Sequence, residues 1–546
     1  MSYQSTITGS SSTYASSKVA GAMLSNLTTA QIAKLSTSAI SKLSAQSFSA
    51  LSSAQKSALT TAQISAVGAS AWAGFTTTDI AALSTAKISV LKSSFGSGLS
   101  DSQFSALSIS QIAVLTTGAV SNLSNSKISA LTTAQRAALT SNSLVSLSSG
   151  NWASFSTTEI AAIGTTTIAS LGSKFATGIN GYQISALTTA QIAALGTSAV
   201  SKLSCAQMVS TSTAQRAALT SDQLAYLAAD TWSSFGTAEI AALSTDEVAT
   251  LKSNFAAGVN ANQFSALTTD QVSVLTTQAV AQLSLAKMNA LTSVQRAVLS
   301  SSQLATLGSS TWAAFSTAEL VALATDTIAA LGSKFVSGVN ASQVSALTTS
   351  QIYVLSTGAA ATLSGAQIAS LSSAQIGTLT TKQLGKLSAD AISGLSSVQT
   401  NALSATQVAA FSAKYISALT ASALSGVGST TTSAIAGLTT TQIYYLTGEQ
   451  LNTVVTSLNS EQLAAATTNA IQSISVAKMA ALTNTQLDGL TKAQVSKISV
   501  QDVSALTTGQ LASLSAIQVS GFTRKQIAAF SASQITGLGS MVNYLI

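Results

Sequence analysis

The chain has 546 residues, of which 46% are hydrophobic and only 7% charged, with a net charge of +7, no histidine, no proline and one cysteine. The absence of histidine excludes Ser-His-Asp catalysis and most zinc sites, and the basic residues occur singly, so the composition argues against a nucleic-acid interface. Ser or Thr interrupts every apolar stretch well before the roughly 18 to 20 residues that a membrane-spanning helix needs.

The first segment, residues 1–26, lacks the apolar periodicity of the rest of the chain. A cleaved Sec signal has a basic stretch followed by an apolar one, and the opening residues, MSYQSTITGSSS, have neither. We therefore interpret residues 1–26 as an N-terminal cap or tail, and expect any export to follow a route without such a signal.

Residues 27–427 carry an eight-residue repeat with the consensus Leu-Ser/Thr-x-x-Gln-Ile-x-Ala. Starting at Leu27, every eighth position up to Val427 is apolar except Thr211, and a second apolar column lies five positions after the first. In one continuous helix, residues eight positions apart would not stay on one face, and in a strand the two columns would lie on opposite faces. The chain must therefore bend once in every octad.

The consensus also contains a complete helix start. In Leu27-Thr28-Thr29-Ala30-Gln31-Ile32, Thr28 can act as N-cap and Gln31 can close a capping box. The sequence therefore predicts an all-α solenoid of very short helices that only stacking can stabilise, with a β-solenoid as the alternative. We expect two octads to make one turn.

A second, longer period equal to ten octads is superimposed on the first. The recurring residues are Trp72, Trp152, Trp232 and Trp312; Phe75, Phe155, Phe235 and Phe315; Phe95, Phe175, Phe255 and Phe335; Asp79, Glu159, Glu239 and Glu319; and Lys56, Arg136, Arg216 and Arg296. The acids stand at the Gln position, so we interpret them as helix caps. The Trp residues fill the core or form a lateral contact between solenoids. Each basic residue precedes a Trp by two octads, and we predict that it stacks on that indole.

The octad pattern breaks after Val427. We place a joint at residues 428–457, a second octad segment at 458–538, and a C-terminal cap or export tail at 539–546. Cys205 occupies a position that carries Ser or Thr in neighbouring octads, and we interpret it as a passive substitute.

The sequence contains no phosphate-binding glycine motif, and we predict no catalytic, cofactor or metal site and no enzymatic activity. Octads such as Leu187-Thr188-Thr189-Ala190-Gln191-Ile192-Ala193-Ala194 resemble the short repeats of bacterial surface and secreted proteins. The resemblance covers residues 27–427 and 458–538 and implies a surface-layer, adhesin or biofilm-matrix role.

The functional expectation is an extracellular structural protein that self-assembles into a filament, sheet or surface layer, or serves as an adhesive matrix component. Its partners would be further copies of itself and cell-surface polysaccharide, since a repeated surface multiplies weak contacts. The alternatives are an ice- or mineral-binding module and a secreted pore-forming or toxin-like protein.

Overall fold

The computed structural model describes residues 23–427 and 434–545, which form two compact units that divide between Ala279 and Val280. Most of the predicted N-terminal cap and part of the predicted joint, residues 1–22 and 428–433, lie outside the described residues, as does Ile546. The remainder of the joint belongs to the second unit, and the boundary between the units falls inside the continuous octad region.

Each octad forms one short helix. From Thr29 onward a helix begins at the third residue of every octad up to the joint, and it ends at the sixth, seventh or eighth. The ten helices of one long repeat are Ala69–Gly74, Thr77–Ala81, Thr85–Ile88, Ser93–Gly98, Asp101–Ser105, Ile109–Ile112, Thr117–Val120, Asn125–Ala130, Thr133–Ala137 and Ser141–Ser146. The first of these is a 3₁₀-helix, as are Ala229–Ser234, Ser309–Ala314 and Ala413–Ala418.

The all-α solenoid is confirmed, and the described residues contain no β-strand, so the β-solenoid alternative is wrong. The capping box is also present as predicted. The Gln31 backbone N–H donates to Thr28 Oγ1 at 3.3 Å, and the Thr28 backbone N–H donates to Gln31 Oε1 at 2.8 Å. Most residues of the two apolar columns are buried, and together they form the core.

The same glutamine also bonds to an earlier part of the chain. The Gln183 amide is 2% exposed, and its Oε1 accepts from the Asn180 backbone N–H at 2.8 Å. Its Nε2 donates to the carbonyls of Trp152 at 2.8 Å and Phe155 at 2.6 Å, which precede it by 31 and 28 residues. One buried amide thus starts its own helix and ties it to the preceding turn.

These bonds show how many octads make a turn. Gln103, Gln191 and Gln223 also donate to the carbonyl 28 residues earlier. Helices likewise pack against the third helix along the chain, as Asp101–Ser105 does against Asn125–Ala130. A turn therefore takes between three and four octads, and the expectation of two octads per turn is wrong.

Glycine allows the backbones of adjacent turns to approach closely. A Cβ on Gly178 would lie 2.2 Å from the carbonyl oxygen of Ser149 in the preceding turn. Gly98 and Gly258 approach the Ala69 and Ala229 carbonyls in the same way. No larger residue could occupy these positions without pushing the turns apart.

The second unit absorbs the break in the octad pattern without losing the glutamine bonds. Gln442 donates to the carbonyls of Val408 and Phe411, 34 and 31 residues earlier, so both intervals are longer than those of Gln183. Gln462 donates to the carbonyls of Ile435 and Leu438, 27 and 24 residues earlier. The elements here are Ala434–Gly437, Thr440–Tyr444, Gly448–Val454, Val455–Ser457 and Ser460–Ala464.

After the joint, a helix again begins once per octad from Ser460 to the last α-helix, Ala532–Gly537. The predicted C-terminal segment then forms a single 3₁₀-helix, Gly539–Tyr544. Gly539 has a φ of 55°, a left-handed conformation that favours glycine just after a helix.

We expect Gln183→Glu to lower the free energy of unfolding by about 3 kcal/mol or more at neutral pH, because a buried carboxylate would face two carbonyls. Gln31→Glu is the matched control: Gln31 forms the same capping box but is exposed. A carboxylate suits that helix start, so its effect should be under about 0.5 kcal/mol. Urea titrations followed by far-UV circular dichroism measure both, and equal effects would contradict the inter-turn role of the amide.

Candidate functional site

The four tryptophans lie in the core. Trp72, Trp152, Trp232 and Trp312 are at most 1% exposed. Trp152 packs on Phe155 with ring centroids 5.1 Å apart and contacts Phe175 edge-on at 4.8 Å, and the other repeats show the same arrangement. This burial corresponds to the core-filling interpretation, and it leaves the indoles no surface for the lateral contact that we considered.

The recurring basic residues form ion pairs with the acids that follow them by 23 residues. The pairs are Lys56–Asp79 at 2.7 Å and Arg136–Glu159, Arg216–Glu239 and Arg296–Glu319 at 2.8 Å. The Arg136 guanidinium lies 6.0 Å from the centre of the Phe155 ring, and Lys56 Nζ lies 5.6 Å from that of Phe75. The predicted stacking on tryptophan is therefore wrong, because two octads do not make one turn.

Each Arg–Glu pair makes the hydrogen bonds that a single glutamine makes in other octads. Glu159 stands at the Gln position, and its Oε2 accepts from the Ser156 backbone N–H at 2.8 Å. Arg136 Nη1 donates to the carbonyls of Ile128 at 3.3 Å and Leu131 at 2.5 Å. These carbonyls precede Glu159 by the same two intervals at which Gln183 bonds, so a glutamine at 159 would reach both oxygens. The glutamate supplies the acceptor and the arginine supplies the donor.

The substitution is repeated at the other two arginines. Arg216 Nη1 donates to the carbonyls of Met208 and Thr211, and Arg296 Nη1 donates to those of Met288 and Leu291. The first pair consists of shorter side chains, lysine and aspartate. Lys56 Nζ and the Thr76 backbone N–H both donate to Asp79 Oδ2. Asp79 Oδ1 is buried without a hydrogen-bond partner. Lysine and aspartate are thus a less complete replacement than arginine and glutamate.

Three of the paired carboxylates, those of Asp79, Glu159 and Glu319, have a lowered pKa. Burial by itself would raise the pKa of Asp79, but hydrogen bonds from Lys56, Ser53 and Thr76 outweigh burial and lower the pKa from 3.8 to about 2. Burial would also raise the pKa of Glu159 and Glu319. In both, hydrogen bonds from the paired arginine and from the capping serine outweigh it and lower the pKa. The predicted capping role of the acids is confirmed. Their ion pairs with the basic residues were not expected from the sequence.

Two of the ion pairs lie beside equivalent surface clefts, both in the first unit. The cleft at Arg136–Glu159 has a volume of about 320 Å³, and the cleft at Arg216–Glu239 about 450 Å³. Apolar walls contribute most of each lining, at positions that correspond between the two long repeats: Leu139 and Leu219, Leu144 and Leu224, Phe155 and Phe235, Ile163 and Leu243.

Within residues 23–427 and 434–545, no three or more His, Cys, Asp or Glu side chains are grouped so that they could hold a metal ion. No helix in the described part of the chain is long and apolar enough to cross a membrane. Cys205 Sγ lies 3.3 Å from Ser233 Oγ.

No protein-family model and no curated protein matches the chain.

We expect the double variant Arg136→Ile, Glu159→Gln to be much more stable than the sum of its single variants implies. Glu159→Gln alone leaves a mostly buried guanidinium beside a competing amide, and Arg136→Ile alone leaves an unpaired carboxylate, so each should cost about 2 to 3 kcal/mol. Together they recreate the normal octad. Urea titrations should give a coupling energy of about 2 kcal/mol or more between the two substitutions. Additive effects would contradict the equivalence of the Arg136–Glu159 pair to one glutamine.

The same double variant should resist acid better than the wild type. Because the folded pKa of Glu159 is lowered, its ion pair stabilises the fold above the ordinary value of 4.5 and loses that contribution as the pH falls through the folded pKa. The double variant lacks this carboxylate, so its free energy of unfolding should fall less below about pH 4.5. If the free energies of unfolding of the two proteins fell in parallel below that pH, Glu159 would not contribute to the acid sensitivity of the wild type.

Proposed function

We propose that the protein is an extracellular structural protein that assembles with further copies of itself into a filament, sheet or surface layer. The observation that carries this proposal is the repeated surface: helix after helix exposes the same positions, which hold mostly Ser, Thr and Ala. A patch that recurs along one molecule can meet the same patch on another at many points, so weak contacts add up.

The exposed hydroxyls are also ordered across turns. Ser129 Oγ lies 2.8 Å from Ser154 Oγ, and Ser141 Oγ lies 2.7 Å from Thr167 Oγ1, with separations of 25 and 26 residues along the chain. Such cross-turn pairs hold the surface side chains in fixed positions. A preorganised surface loses little side-chain entropy when a partner binds, whether that partner is another copy or a polysaccharide.

Low charge supports close contact between copies. Only 7% of the residues are charged, and most of the bonds between turns join neutral amides to carbonyls. Copies therefore repel each other weakly, and the bonds between turns should depend little on the surrounding salt. These properties suit a protein that works outside the cell.

The purified 546-residue chain should form assemblies whose mass rises with protein concentration. Sedimentation velocity over a hundredfold concentration range, with negative-stain images of the same samples, measures this. We expect the assemblies to persist at high salt, since few charges take part. A chain that remains strictly monomeric across concentrations, salts and divalent ions would refute the proposed function.

A further inference from the structure

The two clefts beside Arg136–Glu159 and Arg216–Glu239 are mostly apolar, and each is lined by an arginine that has one N–H group to spare. A guanidinium has five N–H groups. In Arg216, Nε donates to Glu239 Oε1, Nη1 donates to two carbonyls, and Nη2 donates once, to Glu239 Oε2. One N–H of Nη2 therefore remains available, and Arg136 has the same set of bonds.

The chemistry of the clefts suits an uncharged ring or chain that accepts a hydrogen bond. The ion pair is neutral as a whole, and the other polar groups of the linings are hydroxyls, as on Thr133 and Thr213, and the Glu247 carboxylate beside Arg216–Glu239, which disfavours an anion. Leu219, Leu224, Phe235 and Leu243 provide apolar contact in one cleft, and the corresponding residues do so in the other. A volume of about 320 to 450 Å³ admits a phenol ring. In mostly apolar pockets, a few well-placed polar groups fix the orientation of the ligand.

The surface of the same unit carries a side chain of this kind. Tyr182 is 82% exposed, more than any other large hydrophobic residue that the structure describes. The equivalent positions in the preceding and following long repeats hold Ser102 and Asn262, so the ring is not part of the repeat. Exposing an aromatic ring to water is unfavourable, and burying it against a partner recovers that free energy.

We propose that the clefts receive the Tyr182 side chain of a second copy of this chain, with the phenol oxygen accepting the available Nη2 hydrogen. This inference rests on the proposed self-assembly and specifies its contact. Two copies that exchange rings reciprocally would form a closed dimer, whereas insertion in one direction only is a heterologous contact. Successive copies would add in the same direction, which gives a filament unless the rotation closes a ring.

The first test replaces the ring. Tyr182→Ser introduces the residue found at position 102, and the site is exposed, so the fold should be unchanged by circular dichroism. We expect the association constant from sedimentation velocity to fall at least tenfold. Tyr182→Phe, which keeps the ring and loses the acceptor, should associate with a strength between that of Tyr182→Ser and that of the wild type.

The second test blocks the clefts. Ala137 and Ala217 are exposed residues in their linings, and Ala137→Gln with Ala217→Gln should cover both with a polar side chain. Ala193→Gln is the control, since Ala193 is exposed at the same octad position and lines neither cleft. We expect the double variant to associate at least tenfold more weakly and Ala193→Gln to match the wild type. Titration with 4-methylphenol, followed by NMR, should show binding only where the clefts are open.

The outcomes separate this inference from the proposed function. If the wild type assembles and Tyr182→Ser assembles equally well, the Tyr182 contact is refuted and self-assembly stands. If Tyr182→Ser is impaired but the variant with blocked clefts is not, the ring docks elsewhere and the inference fails. A monomeric wild type would refute both, and 4-methylphenol that fails to bind would refute the phenol site by itself.

Discussion

The fold depends on one property of the glutamine side chain: a neutral amide carries a donor and an acceptor on the same carbon. Helices as short as these are unstable alone, because too few hydrogen bonds offset the entropy of nucleation. In the octads that carry it, the buried amide starts the helix with its oxygen and holds the preceding turn with its nitrogen, as Gln183 does. Asn151 does both with a shorter side chain, bonding to the Ser148 N–H and the Leu123 carbonyl.

The ion pairs show what is gained and lost when this amide is replaced. Arginine and glutamate together make the same bonds as glutamine, at the cost of desolvating two charges. The local packing then differs from that of a normal octad, and two of the pairs border clefts. The clefts are therefore places where one octad can be told apart from the repeated surface around it. Tyr182 is a second departure from the repeat, on the exposed face.

The sequence predicted the helices well because their start signals are local. Thr28 and Gln31 lie within one octad, and periodicity alone identified both core columns. The number of octads per turn could not be read in this way, because the second partner of each glutamine is a backbone carbonyl that any residue provides. The ion pairs did leave a signal: bases and acids recur at one fixed spacing in all four repeats, and their opposite charges could have paired Arg136 with Glu159 instead of Trp152. The boundary between Ala279 and Val280 falls within the octad 275–282 and leaves the octad period unbroken, so no pattern in the sequence marks it.

The short reach of the glutamine bonds determines how the chain would respond to force. Even across the joint, the described glutamine bonds join positions no further apart than Val408 and Gln442, so each turn is held only by its neighbours. A pull on the ends of either unit would break the few amide bonds of the outermost turn first and release that turn alone. The next turn would then present nearly the same bonds to the same load. Such a chain would lengthen in many small steps at almost constant tension, and it could rewind when the load is removed.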